Sequence, residues 1–345
     1  MRLLLPLAAA VALIAAAPAA AQDADPTQGV RIAVIDTGIN IAHQEFAPDQ
    51  LVGYWDFTTS TPDAGQTFDP NHAPADGNGH GTLTSSMAAG LNVDPDKTPS
   101  FAPGFKLAMA DVGTDDGTIS GDIAAAIRWS VETIHADVIN ISIGSIVPIP
   151  GAPLLFEEYV ALQEAREAGV LVTVANGNGT ANAGLVPGDG ASSTYASSQD
   201  VLAVGASGID GATVSYQPEV AAQFTITGPT HDSTDKYVTE SGTSFSSPLV
   251  AGFAARLIAE ARAAGRVLRA PELEALLKSA SNDTELPPTW EGYGVLDAGQ
   301  LPGAIAAARA GTLVERPSPD LSATYVEQVA GSERALNNGE LPPLG

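Results

Sequence analysis

Three residues suited to acyl transfer by a hydroxyl nucleophile stand far apart in this chain, each at the edge of a regular element: Asp36, His80 and Ser244. Ser244 lies in Glu240-Ser241-Gly242-Thr243-Ser244-Phe245-Ser246-Ser247-Pro248, between a glycine turn and an alanine-rich helical run, Leu249 to Ala264. At a helix N-terminus, unpaired backbone N–H groups and the positive end of the dipole favour developing negative charge. Asp36 ends the run Arg31-Ile32-Ala33-Val34-Ile35 and is followed by Thr37-Gly38. His80 lies in Asp76-Gly77-Asn78-Gly79-His80-Gly81-Thr82, ahead of a helical run from Leu83 to Ala89. A serine hydroxyl is a poor nucleophile at neutral pH and needs a base. Histidine can take and return its proton, and a buried aspartate fixes the imidazole tautomer and stabilises the imidazolium.

The elements that must position these groups follow from hydrophobic patterning. Short apolar runs near 31–35, 107–112, 137–143, 170–175 and 201–205 read as buried parallel strands. Helical patterns lie near 83–89, 120–135, 156–168, 247–264, 271–280 and 302–310. Alternation of this kind predicts an α/β fold, a parallel sheet flanked by helices in a single domain. Functional groups in such sheets gather at the carboxyl ends of the strands, which is where Asp36 falls.

Val34-Ile35-Asp36-Thr37-Gly38, His80-Gly81-Thr82 and Gly242-Thr243-Ser244-Phe245-Ser246-Ser247-Pro248 resemble, in this order, the three signatures of the subtilisin-like serine proteases, or subtilases. The resemblance runs from about residue 29 to about residue 310 and implies a sheet of the subtilisin-like type. It implies Asp36 as orienting carboxylate, His80 as base and Ser244 as nucleophile. The turn Asn176-Gly177-Asn178-Gly179 follows the strand Gly169 to Ala175 and is similar to the family's oxyanion turn, with Asn178 as the aligned donor. Ala136 to Gly144 resembles the substrate-pairing strand, in which Ser142, Ile143 and Gly144 would pair with an extended peptide. The specificity pocket would be lined by Ser142, Gly144, Ala175, Asn176, Gly177 and the loop 188–193. Gly113 to Gly117 is a candidate for the opposing edge. The implied activity is that of a serine endopeptidase acting on proteins or peptides through an acyl-enzyme.

Composition bounds the setting. Met1-Arg2, an apolar run from Leu3 to Ala17 and Ala19-Ala20-Ala21 read as a secretory signal peptide over 1–21, so the chain is expected to be secreted or periplasmic. The peptidase domain is expected over 22–310, followed by a Pro-rich acidic tail over 311–345. There is no cysteine among the 345 residues, which removes disulfides and thiolate metal sites. A formal net charge of −25 argues against nucleic acid as a partner and against anionic membranes once the signal is removed. The implied chemistry needs no cofactor and no catalytic metal. For structural calcium, Asn92, Asp94 and Asp96 are candidate oxygen donors.

The chain also departs from the family pattern. Only the stretch from Gln22 to Ile35 separates the signal from Asp36, too short for an inhibitory propeptide domain. Leu83-Thr84-Ser85-Ser86 follows His80-Gly81-Thr82 where the family usually continues with histidine and glycine. Two other classes compete. The Asp-Thr-Gly at 36–38 is also an aspartic-protease signature, but that chemistry needs two such carboxylates and there is one such tripeptide. A non-catalytic binding protein on the same scaffold would have no use for all three triad groups and the asparagine.

Overall fold

The computed structural model describes residues 29–144, 156–178, 195–207, 220–223, 225–283, 292–313 and 316. The signal peptide, the loop 188–193 and most of the tail lie outside these residues.

The strands are β1 (Arg31–Asp36), β2 (Leu51–Asp56), β3 (Lys106–Asp111), β4 (Val138–Ile141), β5 (Leu171–Ala175), β6 (Leu202–Ser207), β7 (Val220–Gln223), β8 (Thr225–Pro229) and β9 (Tyr237–Ser241). The helices are α1 (His80–Ala89), α2 (Ile123–Glu132), α3 (Phe156–Glu167), α4 (Thr243–Ala263), α5 (Ala270–Ala280) and α6 (Leu301–Ala310). Seven strands form one sheet in the order β2-β3-β1-β4-β5-β6-β7, and each pairing is parallel. β8 and β9 form a separate antiparallel ribbon.

Alternate residues of each central strand face opposite layers. Ile32, Val34, Leu107, Met109, Val138 and Leu171 pack with α1, α4, α5 and α6. Ala33, Ile35, Ala108, Ala110, Ile139, Ile141, Val172 and Val174 pack with α2 and α3. Both faces are therefore buried, which is why these strands read as continuous apolar runs. The central helix α4 is almost wholly buried. It approaches α1 at Gly252, where a Cβ would lie 2.5 Å from the Ala88 carbonyl oxygen.

The order of strands fixes the site. From β1 the chain moves to β2 and β3 on one side, then crosses to β4 on the other side of β1. The reversal leaves a crevice beyond the carboxyl ends of β1 and β4. Asp36 ends β1, and Ser142 to Gly144 follow β4.

Four strands are absent from the pattern-based reading. β2 is an edge strand interrupted by Gly53, with a register shift between Leu51 and Gly53. β7 is four residues, Val-Ala-Ala-Gln, with one β-branched side chain. β8 and β9 are threonine-rich, and cross-strand hydroxyl pairs join Thr225 to Ser241 at 2.9 Å and Thr227 to Thr239 at 3.0 Å. The hydroxyl pairs line one face of the ribbon, while Ile226 and Val238 on the other pack on the core. The segment 292–298 closes the domain: Val295 exchanges backbone hydrogen bonds with Asn282, and Leu296 N–H donates to Ala221 on β7. The first described residue beyond Leu313, Arg316, docks its guanidinium on the carbonyls of Lys278, Ser281 and Tyr293.

Candidate active site

Asp36, His80 and Ser244 come to this crevice on three different elements. Asp36 is fully buried at the end of β1. Its Oδ1 accepts from His80 Nδ1 at 2.7 Å and from Thr37 N–H at 2.8 Å, and its Oδ2 accepts from Thr84 Oγ1 at 3.1 Å. The helix opens earlier than the apolar pattern places it: His80 is the first residue of α1, which then runs through Gly81, Thr82 and Thr84, all poor helix formers. Tertiary contact overrides that propensity. Gly81 packs so tightly on β1 that a Cβ there would lie 2.1 Å from the Gly38 carbonyl oxygen.

The start of α1 is held by Asp76, a role the sequence reading does not give it. Asp76 Oδ1 accepts from Thr37 Oγ1, Asn78 N–H and Gly79 N–H, and Oδ2 accepts from the N–H and Oγ1 of Thr82. Thr37 Oγ1 in turn accepts from Gly81 N–H at 2.9 Å. The orphan amides of the first turn are thus capped by a carboxylate from the preceding loop and a hydroxyl from the turn after β1. The recoverable signal is an aspartate ahead of an Asn-Gly turn and a helix start.

Burial is the largest single influence on the His80 imidazole and acts to lower its pKa. The Asp36 charge and hydrogen bond, with the fields of Asp76 and Glu240, outweigh it and raise the value above the usual imidazole range. The ring packs against Phe245 with centroids 5.4 Å apart.

Helix α4 begins at Thr243, four residues before the helical pattern near 247–264, so Ser244 sits inside the first turn. Its hydroxyl is turned to the Ser142 carbonyl at 3.1 Å, and no hydrogen bond joins it to His80 among the described residues. Asn178 meets the same turn: its Oδ1 accepts from Thr243 N–H and Thr243 Oγ1, both at 2.8 Å. That anchors the amide by its oxygen and leaves the NH2 as the group available to a ligand. The Gly177 N–H donates to Thr243 Oγ1 at 3.2 Å. Asn176 instead is buried at the end of β5, its N–H bonded to Val204 O at 2.9 Å. Ala175 is buried beside it. Ser142 and Ile143 are buried and Gly144 is exposed at the crevice edge.

The loop 113–119 forms a tight turn, with Thr114 N–H bonded to Thr118 O and an antiparallel bridge from Gly113 to Ile119. It walls a cavity of about 900 Å³ that also takes in Thr37, Tyr54, Asp56, His72 and Asp111. Burial raises the Asp111 carboxyl to about 7, against hydrogen bonds from Gly113 N–H and Tyr54 OH that act to lower it.

The candidate calcium donors have internal partners. Asn92 Oδ1 accepts from Lys97 Nζ at 3.2 Å and from Ser100 N–H at 2.8 Å, and Asp94 Oδ1 accepts from Asp96 N–H at 2.8 Å. The amides of Asn92, Val93 and Asp94 turn toward the Glu45 carboxylate. Lys97, with its side chain fully buried, also donates to the carbonyls of Ser86 and Thr98 and lies 3.9 Å from Glu45. Among the described residues no group of three or more His, Asp or Glu side chains is placed to hold a metal. Asn92 is not free to join a calcium cage, because the Lys97 ammonium already takes its oxygen. Lys97→Met should cost about 3–5 kcal/mol, since it leaves Glu45 buried without its counter-charge. Urea unfolding checks this; a midpoint equal to wild type would show that Glu45 needs no cation.

Other proteins share this arrangement to a measurable degree. The subtilase family's sequence model matches residues 27–295. Subtilisin BL of Lederbergia lenta is 32% identical over 252 residues, covering 69% of this chain and 80% of that protein. Subtilisin-like serine protease Pen ch 13 of Penicillium rubens is 30% identical over 248 residues; the match spans 69% of this chain and only 54% of that protein. This chain thus matches about half the length of that relative. Among solved structures, a serine-to-alanine mutant of the protease domain of PatA superposes with a TM-score of 0.65 at 24% identity, covering 83% of this chain and 97% of that one, a likeness of fold. With the seven-stranded parallel sheet, the motif order and the matched span all in agreement, the chain belongs to the subtilase family.

Proposed function

We propose that the protein is an exported serine endopeptidase that cleaves peptide bonds through Ser244, His80 and Asp36. The observation that carries this reading is the 2.7 Å bond from the His80 imidazole to a fully buried carboxylate, at a crevice shared with a serine in the first turn of α4. The Ser244 hydroxyl turns from the Ser142 carbonyl to His80, gives up its proton and attacks the scissile carbonyl carbon. The oxyanion is met by the Asn178 NH2 and the Ser244 N–H at the start of the helix. His80 then protonates the leaving amine, and the acyl-enzyme is hydrolysed by water activated in the same way. The substrate backbone lies as an added strand along Ser142, Ile143 and Gly144, with its side chain directed toward Ala175, Asn176 and Gly177. Each step draws on groups of this chain, without a cofactor, and the loop 91–98 is held by its own lysine rather than by calcium. A chelator should therefore leave the thermal midpoint unchanged; a marked fall would restore a calcium site.

Labelling with a serine-directed phosphonylating reagent tests the central claim. Covalent adduct on Ser244, lost together with peptide hydrolysis in His80→Ala, is the expected result; hydrolysis without labelling would remove it. Export is tested by sequencing the N-terminus of the protein recovered outside the cytoplasm, where Gln22 is expected as the first residue. No helix among the described residues is long and apolar enough to cross a membrane.

The pH profile follows from the raised His80 value. The base must be neutral, so kcat/KM should rise with pH through an ionisation above the ordinary imidazole value of about 6.5. Stability runs the other way. The protonated His80 is favoured in the folded state, so its contribution is fully present below the unfolded value and is lost as pH rises through the folded one. Activity greatest near pH 3 would return the aspartic-protease chemistry instead.

A further inference from the structure

Helix α4 carries Pro248 four residues after Ser244. In an α-helix the amide of residue 248 would donate to the Ser244 carbonyl, and proline has no amide hydrogen. The carbonyl of the nucleophile itself is thereby left for another donor. Ser142 Oγ supplies it at 2.7 Å, across from the end of β4. That hydroxyl is held in turn: Ser142 Oγ accepts from Asn140 Nδ2 at 2.8 Å, while Asn140 Oδ1 accepts from Ser247 Oγ at 2.7 Å and from Thr173 Oγ1 at 3.2 Å. Asn140, Thr173 and Ser247 are fully buried and Ser142 nearly so. The chain of bonds runs from β5 through β4 to the first turn of α4.

We propose that the Ser142 hydroxyl is a positioning residue for the nucleophile, replacing the helical hydrogen bond that Pro248 removes and fixing the Ser244 backbone relative to the substrate-pairing strand. This rests on the reading of Ser244 as nucleophile and deepens it. The hydroxyl has one proton, and that proton is committed to Ser244 O, so the Ser142 side chain has none left to donate to substrate. The same contact couples the two faces of the cleft: a shift of the strand that pairs with a peptide shifts the Ser244 main chain, whose N–H faces the oxyanion.

A double-mutant cycle with Pro248→Ala tests it, because alanine restores the missing donor. Ser142→Ala alone should slow phosphonylation of Ser244 and lower kcat by about tenfold or more, with KM within about twofold. In the Pro248→Ala background the same change should slow both by less than about threefold, since the carbonyl then has a helical partner. Equal losses in the two backgrounds, or no loss in the first, overturn the proposal. Ser142→Thr, which keeps the hydroxyl, should lose less kcat than Ser142→Ala. If Ser142→Ala alone does not fold, the double variant still decides: folded and slow, it refutes the rescue; folded and active, it supports it. The reading of Ser244 as nucleophile stands or falls separately, on labelling of the otherwise unaltered protein. The coupling between Ser142 and Pro248 can also be read in thermal midpoints with Ser244→Ala present, where no activity is needed.

Discussion

Ser244→Ala should reduce peptide hydrolysis on the order of 10⁶-fold, the size of the loss that triad removal produces in subtilisin itself. The change deletes one oxygen from a half-buried position in the first turn of α4. Among the described residues the one bond lost is that from Oγ to the Ser142 carbonyl at 3.1 Å, so stability should change by about 1 kcal/mol and the circular dichroism spectrum should be that of wild type. His80→Ala should be nearly as damaging, because the two groups act as a unit, and combining the two should add little. Peptide turnover by Ser244→Ala within tenfold of wild type would rule out Ser244 as nucleophile.

The second large effect is expected at Asn178. Asn178→Ala should lower kcat by about a hundredfold or more with little change in KM, because the amide binds the transition state rather than the ground state. The same side chain caps Thr243 through its oxygen, so alanine also removes a helix cap and should cost about 1 kcal/mol of stability. Asn178→Asp separates the two roles. It keeps an oxygen for Thr243 and replaces the NH2 by an anion, so it should lose as much kcat as alanine while keeping the cap. Asn176→Ala alters a buried position at the end of β5 and should change preference among substrates while sparing turnover on the best one. Steady-state kinetics on one peptide series compares all three variants. A large kcat loss in Asn176→Ala and none in Asn178→Ala would move the oxyanion donor by two residues.

How much of this was legible in the sequence differs by element. The five strands of the sheet's centre could be read because both faces are buried, which forces continuous apolar runs such as Ile32 to Ile35 and Leu171 to Val174. The crossing helices carried the alanine-rich or amphipathic pattern expected of them. β2, β7, β8 and β9 were not legible, since an edge strand, a four-residue strand and a threonine ribbon are defined by their partners. The starts of α1 and α4 fall three and four residues ahead of the helical patterns near 83–89 and 247–264. Glycine, threonine and serine there have weak helix propensity, and what makes those turns helical is capping by Asp76 from the preceding loop and by Thr37 and Asn178 from distant segments.

The sequence by itself determined the chemistry available: one aspartate, one histidine and one serine in a recognisable order, with asparagines in a turn after a buried strand. Those are properties of residue type and local context, and a linear pattern can carry them. Only the tertiary structure decided what touches what. It joined His80 to Asp36, gave Asp76 the start of α1, and anchored the Asn178 oxygen on Thr243. It also set the Lys97 ammonium on the Asn92 oxygen, and turned the Ser142 hydroxyl onto the Ser244 carbonyl. The physical reason is common to all of these contacts. A buried polar group must find a partner, and the partner it finds is whichever group the fold brings within about 3 Å, for most of these contacts at a sequence distance that no local pattern records.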